Sequence, residues 1–380
     1  MSTLTLPRIE QYTDPDISRL EPLWRSLLEK DEDATIFQSW EWCSVWWKHF
    51  QARRQPYLLL AYQDDEPVAL APLSLNRVGG GLLRRLEYFG TGVSDYLGFI
   101  GDSAHLATCA RYFLTHLHSL PGWDLLALQQ VNPDQAERNG FSSEPFLNSL
   151  KKAGFVARWC EQDICPRLSL PESWEDMLPR LGKKLRYNIG YYERLLRRDY
   201  KEVSLETARP EDAREAVEEF LQLHTRRWRK RGLPGALYTR QLQDFHRALA
   251  PVLARNGLLA LHRLRLDGRT VATLYCFQYN QRAFYYLGGF EPELARYSPG
   301  TVLTAYAMRY AIAHGARVFD FLRGRERYKY RWPVEERANY RLDVAHAAAL
   351  RSRCAFRCNI WQGCLQHAAQ EKLQQLLEGK

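Results

Sequence analysis

The hydrophobic pattern of the second half of the chain predicts three helices. Over residues 178–196 the apolar side chains recur every three or four positions: Leu178, Leu181, Leu185, Ile189, Tyr192 and Leu196. This spacing indicates an amphipathic helix, and Pro179 predicts a short leading turn that is separate from the main helix. A second helix is predicted from Pro210 to Gly232, and a third over residues 239–254.

The period of the pattern changes after these helices. Residues 258–266 are rich in leucine, Asp267-Gly268 is a hairpin signal, and residues 271–279 alternate in the manner of a strand. Asn280-Gln281 then turns the chain into a further strand over residues 283–290. These signals predict a three-stranded meander.

The order is completed by a helix that begins near Pro299-Gly300-Thr301 and a buried strand over residues 316–322. The first half of the chain repeats this order: helices near 15–30 and 40–49, strands over 57–62, 67–76, 83–89 and 96–100, a helix near 103–119 and a strand over 123–131. The turns at Asp65 and Gly268 lie 203 positions apart, and the helix starts at Ser103 and Gly300 lie 197 apart. Such similar offsets indicate an internal duplication of one α/β lobe.

The duplication predicts an α/β protein with two tandem lobes, each a mixed sheet flanked by helices. The expected boundaries are an N-terminal lobe over 1–160, a C-terminal lobe over 165–344 and a helical tail over 345–380, with a linker near 155–170. The length of 380 residues fits two domains, because single cores stop growing beyond roughly 250 residues.

Composition narrows the class of protein. The chain is 46% hydrophobic and 26% charged, which excludes a mostly disordered protein. No apolar run approaches the roughly 20 residues that span a bilayer, and the first 20 residues lack the apolar core of a signal peptide. We therefore expect a soluble, cytoplasmic protein without a membrane span, whose eight cysteines are reduced thiols.

The net charge of +9 arises from two short basic stretches of the sequence. Residues 180–201 contain eight basic and two acidic side chains, and residues 226–231 contain five basic ones. A concentrated positive field suggests an anionic partner, such as a phosphorylated cofactor, an acidic substrate, RNA or a membrane surface.

The helix start at residues 296–301 is a candidate phosphate site. Helix N-termini bind phosphate through unsatisfied N–H groups and the helix dipole. Arg296 adds charge, Ser298 and Thr301 are hydrogen-bond donors, and Gly300 lets a pyrophosphate approach the backbone. An ordinary helix start is the alternative, because Ser caps and Pro opens many helices. At the matching point of the first lobe Asp102 would repel a phosphate, so the expected cofactor lobe is the C-terminal one, and the N-terminal lobe is expected to be degenerate.

The order of elements resembles the GNAT acyltransferase lobe. Several stretches within residues 37–335 also resemble the two-lobed GNAT-like proteins of bacterial cellulose and exopolysaccharide biosynthesis: Phe37-Gln38-Ser39-Trp40-Glu41-Trp42, Trp46-Trp47, Asp95-Tyr96, Lys184-Leu185-Arg186-Tyr187-Asn188, Leu223-His224, Arg227-Trp228, Tyr297-Ser298-Pro299-Gly300, Phe319-Asp320-Phe321 with Gly324, Tyr328-Lys329 and Trp332. Such proteins are similar to the FemAB group, which moves amino acids from aminoacyl-tRNA onto peptidoglycan precursors.

The resemblance implies transfer of an acyl group from acyl-CoA, most simply acetyl-CoA, to an amine or hydroxyl of a small molecule or glycan precursor, without a metal. A backbone donor around Leu287, Gly288 and Gly289 would hold the thioester carbonyl. The usual glycine-rich loop of GNAT proteins is absent, and Tyr297-Ser298-Pro299-Gly300 stands in its place.

Three residues are candidates for catalysis. Asp320 lies in an apolar strand, where a carboxylate must either pair with a cation such as Arg323, Arg325 or Lys329, or act as a base. Lys329 is a candidate for stabilising charge or contacting phosphate, and Tyr328 for protonating the thiolate. The candidate substrate-binding residues are Asp95, Tyr96, Lys184 and Arg186.

Two other functions are kept as alternatives. One is an aminoacyl transferase whose basic helices bind tRNA, and the other is a non-catalytic scaffold with the same fold. Metal binding is not expected, since Cys354, Cys358, Cys364, His346 and His367 lack the paired C-x-x-C spacing of zinc sites.

Overall fold

The computed structural model describes residues 7–120, 122–361 and 363. The described residues divide into two compact units, one containing those up to 163 and from 338 onward and the other residues 164–337. The second unit thus ends at 337, and residues 338–346 group with the first unit. Within the described residues, no helix combines the length and apolarity needed to cross a membrane.

The strands and helices have the following bounds. The strands are β1 Arg8–Tyr12, β2 Arg54–Gln63, β3 Glu66–Val78, β4 Leu83–Tyr88, β5 Ile100–Gly101, β6 Leu125–Val131, β7 Phe155–Ser169, β8 Val203–Thr207, β9 Leu259–Leu266, β10 Arg269–Tyr279, β11 Arg282–Phe290, β12 Val318–Asp320 and β13 Glu335–His346. The helices are α1 Glu21–Glu29, α2 Trp40–Phe50, α3 Leu106–Ser119, α4 Pro133–Asn139, α5 Glu144–Lys152, α6 Trp174–Met177, α7 Lys183–Asp199, α8 Ala213–Lys230, α9 Arg240–Arg255 and α10 Pro299–Ala313. A further helix covers residues 350–361.

The two units have the same strand order. In the first unit it is β1-β2-β3-β4-β6-β13, with β5 beside β3, and in the second it is β8-β9-β10-β11-β12-β7. In each unit the fourth and fifth strands are parallel and the other neighbours are antiparallel. Two helices precede the second strand and one helix joins the fourth to the fifth. The predicted α/β fold with two lobes of mixed sheet is therefore confirmed.

Helices cover both faces of the sheet in the second unit. Ala272, Leu274 and Cys276 of β10 belong to the core that contains α7 and α10. Because side chains alternate along a strand, Thr273 and Tyr275 point to the opposite face. There Tyr275 packs on Phe220 of α8, with ring centroids 5.0 Å apart.

The first unit has an aromatic core. Trp42 and Trp46 of α2 have no exposed surface, while Trp40 and Trp47 are nearly buried. Trp47 stacks on Phe89 with ring centroids 5.1 Å apart. These tryptophans are core residues and do not form an exposed platform.

Several elements differ from the sequence-based predictions. The expected linker at 155–170 is strand β7, whose half-buried side chains lack a clear alternation. The expected strand over 316–322 contains only Val318–Asp320, and that over 96–100 is reduced to Ile100–Gly101. Pro179 does separate a short leading turn from α7, as predicted.

Candidate functional site

Strands β11 and β12 pair over only three residues. Arg282–Phe284 pair with Val318–Asp320, and the chain then leaves β11 for β7, since the N–H groups of Phe321 and Gly324 bind carbonyl groups of β7 at 2.9 Å. Strand β11 continues to Phe290. Within the described residues no strand pairs with this side of β11 beyond Phe284, so part of its backbone is open to a ligand.

A β-bulge marks the beginning of this open edge. Tyr275 pairs with Leu287, while the next residue, Cys276, pairs with Tyr285, which leaves Tyr286 as the extra residue. Bulges are frequent next to active sites because they re-aim side chains and interrupt strand pairing.

A cavity of about 190 Å³ lies between the open end of β11 and the start of α10. Its walls come from residues 272–274, 288–290, 295, 298–301 and 303 together with Arg227, Tyr285, Tyr328, Arg331 and Trp332. Among the predicted cofactor residues, Gly288, Gly289, Ser298, Gly300 and Thr301 line this cavity. Leu287 and Arg296 are not among its lining residues.

The start of α10 leaves one backbone N–H group free at the wall of the cavity. Ser298 adopts the left-handed conformation, with φ of 48°, and its carbonyl accepts from the N–H groups of Thr301 at 2.8 Å and Val302 at 3.2 Å. Pro299 has no N–H group, which leaves Gly300 as the residue whose N–H is available. A Cβ atom on Gly300 would meet no heavy atom within 4 Å, so the space in front of this residue is open.

Gly288 is held at the open edge by helix α8. Its carbonyl oxygen accepts from Arg227 Nη1 at 3.4 Å and lies 3.3 Å from His224 Nδ1. The carbonyl therefore faces away from β10, and in a strand the N–H of the same residue points to the same side. This geometry makes the Gly288 N–H a candidate donor to a carbonyl oxygen bound at the edge.

Close packing between β11 and α8 fixes this arrangement. A Cβ atom on Gly289 would lie 2.5 Å from the backbone nitrogen of His224 and 2.8 Å from the carbonyl carbon of Leu223. Any residue larger than glycine would force the strand away from the helix.

Tyr285 and Tyr328 form a pair of hydroxyl groups at the cavity. Their side chains are hydrogen-bonded, and the Tyr285 hydroxyl lies 3.0 Å from where a Cβ atom on Gly288 would be. Burial raises the pKa of Tyr285 to about 12, and it raises the pKa of Tyr328 well above 10. Both phenols therefore keep their protons at neutral pH, and they are suited to donate rather than to accept a proton.

Asp320 and Lys329 lie away from the cavity lining and are buried. Asp320 Oδ1 accepts from the N–H of Leu322 at 2.7 Å. Lys329 Nζ donates, at 3.0, 2.7 and 3.1 Å, to the carbonyl groups of Leu322, Arg323 and Gly324. Both side chains thus hold the turn that follows β12, and the Lys329 ammonium group also pairs with Glu326, whose Oε2 lies 2.9 Å away.

The four candidate substrate-binding residues are not among the cavity lining. Asp95 and Tyr96 belong to the first unit and are 3% and 6% exposed. Their carbonyl groups accept from Asn339 Nδ2 and Thr35 Oγ1, both at 3.1 Å. Lys184 and Arg186 lie on the exposed face of α7.

In the first unit a carboxylate stands at the matching helix start. Asp102 Oδ1 accepts from the N–H of Ala104 at 2.9 Å, and Asp102 Oδ2 lies 3.5 Å from His105 Nδ1. In the first unit a carboxylate thus stands just before the helix start, at Leu106 of α3.

The described residues contain no group of three or more His, Cys, Asp or Glu side chains that could hold a metal ion. Cys354 and Cys358 are exposed on the helix over 350–361. Cys364 and His367 lie outside the described residues.

The sequence reasoning did not single out Tyr285, Arg331 or His224 as site residues. Tyr285 is one aromatic residue in an alternating strand, so nothing local distinguishes it. His224 and Arg227 belong to stretches that carry the family resemblance, and they are three positions apart on a predicted helix. These two features were the available sequence signal; the contact of both side chains with Gly288 is visible only in the structure.

Comparison with known proteins identifies the domain around the cavity. Residues 183–330 match the family model described as Acetyltransferase (GNAT) domain. These residues include the open edge of β11, the start of α10 and most of the cavity. The chain therefore contains a GNAT acetyltransferase domain and is a transferase enzyme. No curated protein sequence matches the chain.

Solved structures share the fold over most of the chain. FemX is 12% identical, with 88% of this chain and 96% of FemX covered at a TM-score of 0.64. L-PGS from Bacillus licheniformis is 14% identical, with 94% of this chain and 98% of L-PGS covered at a TM-score of 0.55. A conserved protein of unknown function from Bacteroides thetaiotaomicron is 11% identical, with 88% of this chain and 100% of that protein covered at a TM-score of 0.53. At these identities the likeness concerns the fold.

Proposed function

We propose that the second unit transfers an acyl group, acetyl in the simplest case, from acyl-CoA to an amine or hydroxyl acceptor. The observation that carries this proposal is the cavity between the open edge of β11 and the start of α10, which brings Gly288, Gly300 and Tyr285 together. A glycan or cell-envelope precursor is the acceptor class that the resemblance suggests.

The lining residues offer both hydrogen-bond donors and cations to a pyrophosphate group. The Gly300 N–H and the hydroxyl groups of Ser298 and Thr301 are donors for a pyrophosphate at the positive end of the helix dipole. Arg227 and Arg331 are the cations on the cavity wall, and they add attraction for the same anion.

The chemistry needs a donor for the thioester oxygen and an acid for the leaving thiolate. The Gly288 N–H donates to the oxygen on which negative charge develops as the acceptor attacks. The Tyr285 hydroxyl gives its proton to the thiolate, because its raised pKa keeps it protonated. The residues hold the reactants in place and form no covalent intermediate.

Two measurements on the wild-type protein test this function. Acetyl-CoA and free CoA are titrated by calorimetry, and thiol release from acetyl-CoA is followed with glucosamine as an amine probe. Saturable binding of both nucleotides supports the proposal. Absence of binding at millimolar acetyl-CoA would overturn it.

A second function, aminoacyl transfer from aminoacyl-tRNA, is favoured by one surface. Helix α7 exposes five cations for which the described residues offer no ion-pair partner: Lys183, Lys184, Arg186, Arg194 and Arg197. Tyr187 and Tyr191 on the same helix are 63% and 40% exposed, and their rings stack at 5.9 Å. Cations with exposed aromatic rings suit a single-stranded end of RNA.

Salt dependence of tRNA binding tests this alternative. Binding of bulk tRNA to the wild type is compared with that to Arg194→Ala and to Arg255→Ala, which removes an exposed cation from α9. Under the alternative, affinity falls steeply with salt and Arg194→Ala reduces that slope, while Arg255→Ala leaves it unchanged. Weak binding with equal slopes for all three proteins would exclude tRNA as a specific substrate.

A further inference from the structure

The helix over residues 350–361 packs on the first unit through small and polar side chains. Ser352, Ala355 and Asn359 are 2%, 3% and 6% exposed. Asn359 Nδ2 donates to a buried carboxylate of β13 at 2.8 Å, and Ala355 belongs to a hydrophobic cluster with residues of β6 and β13. Phe356 is partly buried at the margin of this cluster. The face that holds the helix in place therefore consists mainly of small and polar residues.

The most exposed apolar side chains of this helix lie on the opposite face. Leu350 and Trp361 are 74% and 72% exposed, and Cys354 and Cys358 are exposed between them. Because these four positions are three or four residues apart, they form one stripe, about 17 Å long. A surface helix normally turns its apolar stripe to the core, so a stripe that faces solvent indicates contact with another molecule.

Leu82 adds to this stripe from a second element. It lies in the turn between β3 and β4 and is 74% exposed. Its carbonyl oxygen accepts from Arg351 Nη2, and Arg351 Nε lies 3.1 Å from Asp124 Oδ1. These contacts place Leu82 beside the first turn of the helix, so Leu82 and Leu350 are both exposed at this end of it.

The same face of the helix is positively charged. Residues 350–361 contain three arginines and no acidic residue. Arg351 pairs with Asp124, whereas Arg353 and Arg357 are exposed and pair with no acidic side chain of the described residues. At about 100° per residue, Arg357 projects within the stripe and Arg353 at its border. We call the following residues the arginine–tryptophan surface: Leu82, Leu350, Arg353, Arg357 and Trp361.

We propose that the arginine–tryptophan surface docks the first unit on an anionic lipid bilayer. Arginine side chains attract lipid phosphate groups, and tryptophan is enriched at the level of the headgroups because its ring is apolar and its N–H is polar. A helix that combines exposed apolar residues with cations binds in the plane of such an interface without crossing it. The inference goes beyond the proposed acyl transfer and is independent of it, because none of the five residues lines the cavity.

A bilayer fits this surface better than a second copy of the chain does. In a symmetric dimer the same patch meets itself, which would bring Arg353 and Arg357 of both copies together without an acidic partner. The stripe is also only one helix wide, while a stable protein interface buries about 800 Å² on each partner. A bilayer has no such minimum area, since each apolar side chain inserts by itself and each phosphate is a separate partner for a cation.

Sedimentation of the protein with lipid vesicles tests the proposal. The vesicles contain equal amounts of phosphatidylglycerol and phosphatidylcholine, and vesicles of phosphatidylcholine alone are the neutral reference. We expect about tenfold or more tighter binding to the anionic vesicles, since a cation near such a surface is worth roughly fivefold in affinity. Raising the salt from about 0.1 M to about 1 M shortens the Debye length from about 10 Å to about 3 Å and should remove most of this preference. Absence of binding to the anionic vesicles would overturn the proposal.

Paired charge variants show which surface makes the contact, because α7 is basic as well. Arg353→Gln with Arg357→Gln should lower the affinity for anionic vesicles about 25-fold. Arg194→Gln with Arg197→Gln removes the same charge from α7 and should change that affinity by less than about threefold. An equal loss in both double variants would mean that net charge alone drives binding, which also contradicts the proposal.

Trp361→Ser tests the apolar part of the surface. Because the side chain is exposed, the melting temperature should stay within about 2 °C of the wild type, while affinity for anionic vesicles should fall about tenfold. Tyr238→Ser, at a position of the second unit that is 66% exposed, is the matched control and should bind as the wild type does. Unchanged vesicle binding by Trp361→Ser would overturn the proposal, and a lipid-free dimer that this variant dissociates would assign the surface to a second copy instead.

Discussion

The ammonium group of Lys329 lies 3.0 Å from the carbonyl oxygen of Leu322, whose own N–H donates to Asp320 at 2.7 Å. Leu322 has a φ of 56°, a left-handed conformation that is costly for a branched residue. The two buried side chains stabilise that conformation, which ends β12 after three residues and opens the edge of β11. Asp320 and Lys329 therefore contribute to the shape of the site without lining the cavity.

Replacing Lys329 by methionine tests this structural role. The variant removes the donor to three carbonyl groups in a buried turn, so the free energy of unfolding should fall by about 3 kcal/mol. Urea unfolding measures the change, with Lys183→Met on the exposed face of α7 as the control. A fully stable Lys329→Met protein that binds acetyl-CoA yet transfers nothing would contradict this role and indicate direct chemistry.

Gly289→Ala tests the packing of β11 on α8. The new Cβ atom would lie 2.5 Å from the backbone nitrogen of His224, and neither backbone can yield without moving the strand. We expect a loss of about 1–3 kcal/mol in unfolding free energy. Gly300→Ala is the matched control, because its Cβ has free space and alanine favours a helix. Equal stability of the two variants would show that β11 does not need a glycine at 289.

Tyr285→Phe tests the proposed acid. The variant keeps the ring in the core but removes the proton donor, so kcat for thiol release should fall about 100-fold while affinity for CoA is retained. Tyr328→Phe should have a smaller effect, because Tyr328 acts through its hydrogen bond to Tyr285. The reverse order of effects would assign the acid to Tyr328.

Acid should destabilise the second unit through its buried histidines. The pKa values of His224, His246 and His262 are lowered by burial from 6.5 to about 4, 3 and 3. As the pH falls below 6.5, the unfolded chain binds protons that the folded chain excludes, so each histidine removes roughly 1.4 kcal/mol of stability per pH unit.

His246→Phe isolates one of these contributions. Urea unfolding between pH 6.5 and 4.5 should show a slope against pH that is smaller by about one proton than in the wild type. The comparison is made between variants because Asp31, with a pKa raised by burial to about 7, acts in the opposite direction. Identical slopes would mean that His246 is protonated in the folded protein.

The sequence was sufficient for the parts of the site that are local. Ser298-Pro299-Gly300 is a helix start whose residue types alone indicate it, and Gly288 follows from its place in the fourth strand. Tyr285 was not predictable, because its place beside Gly288 depends on the bulge at Tyr286.

Asp320 and Lys329 illustrate the opposite difficulty. A charged residue in an apolar stretch is equally consistent with a catalytic side chain and with a buried ion pair. Only the contacts of the side chain in the folded protein distinguish the two, and the sequence does not show them. In the structure Lys329 binds carbonyl groups five to seven residues earlier and pairs with Glu326. Strand β7 was missed for a related reason, because its residues are half-buried and lack a two-residue period.

The most direct test of the phosphate site compares Gly300→Asp with Gly300→Asn in a calorimetric titration with acetyl-CoA. The two side chains have the same size and the space at Gly300 is open, so both variants should fold. Asp near a helix N-terminus should even add about 0.3–1 kcal/mol of stability. We expect Gly300→Asp to lose acetyl-CoA binding and Gly300→Asn to retain measurable affinity. Equal affinity of Gly300→Asp and the wild type for acetyl-CoA would contradict the assignment of a phosphate site to the start of α10.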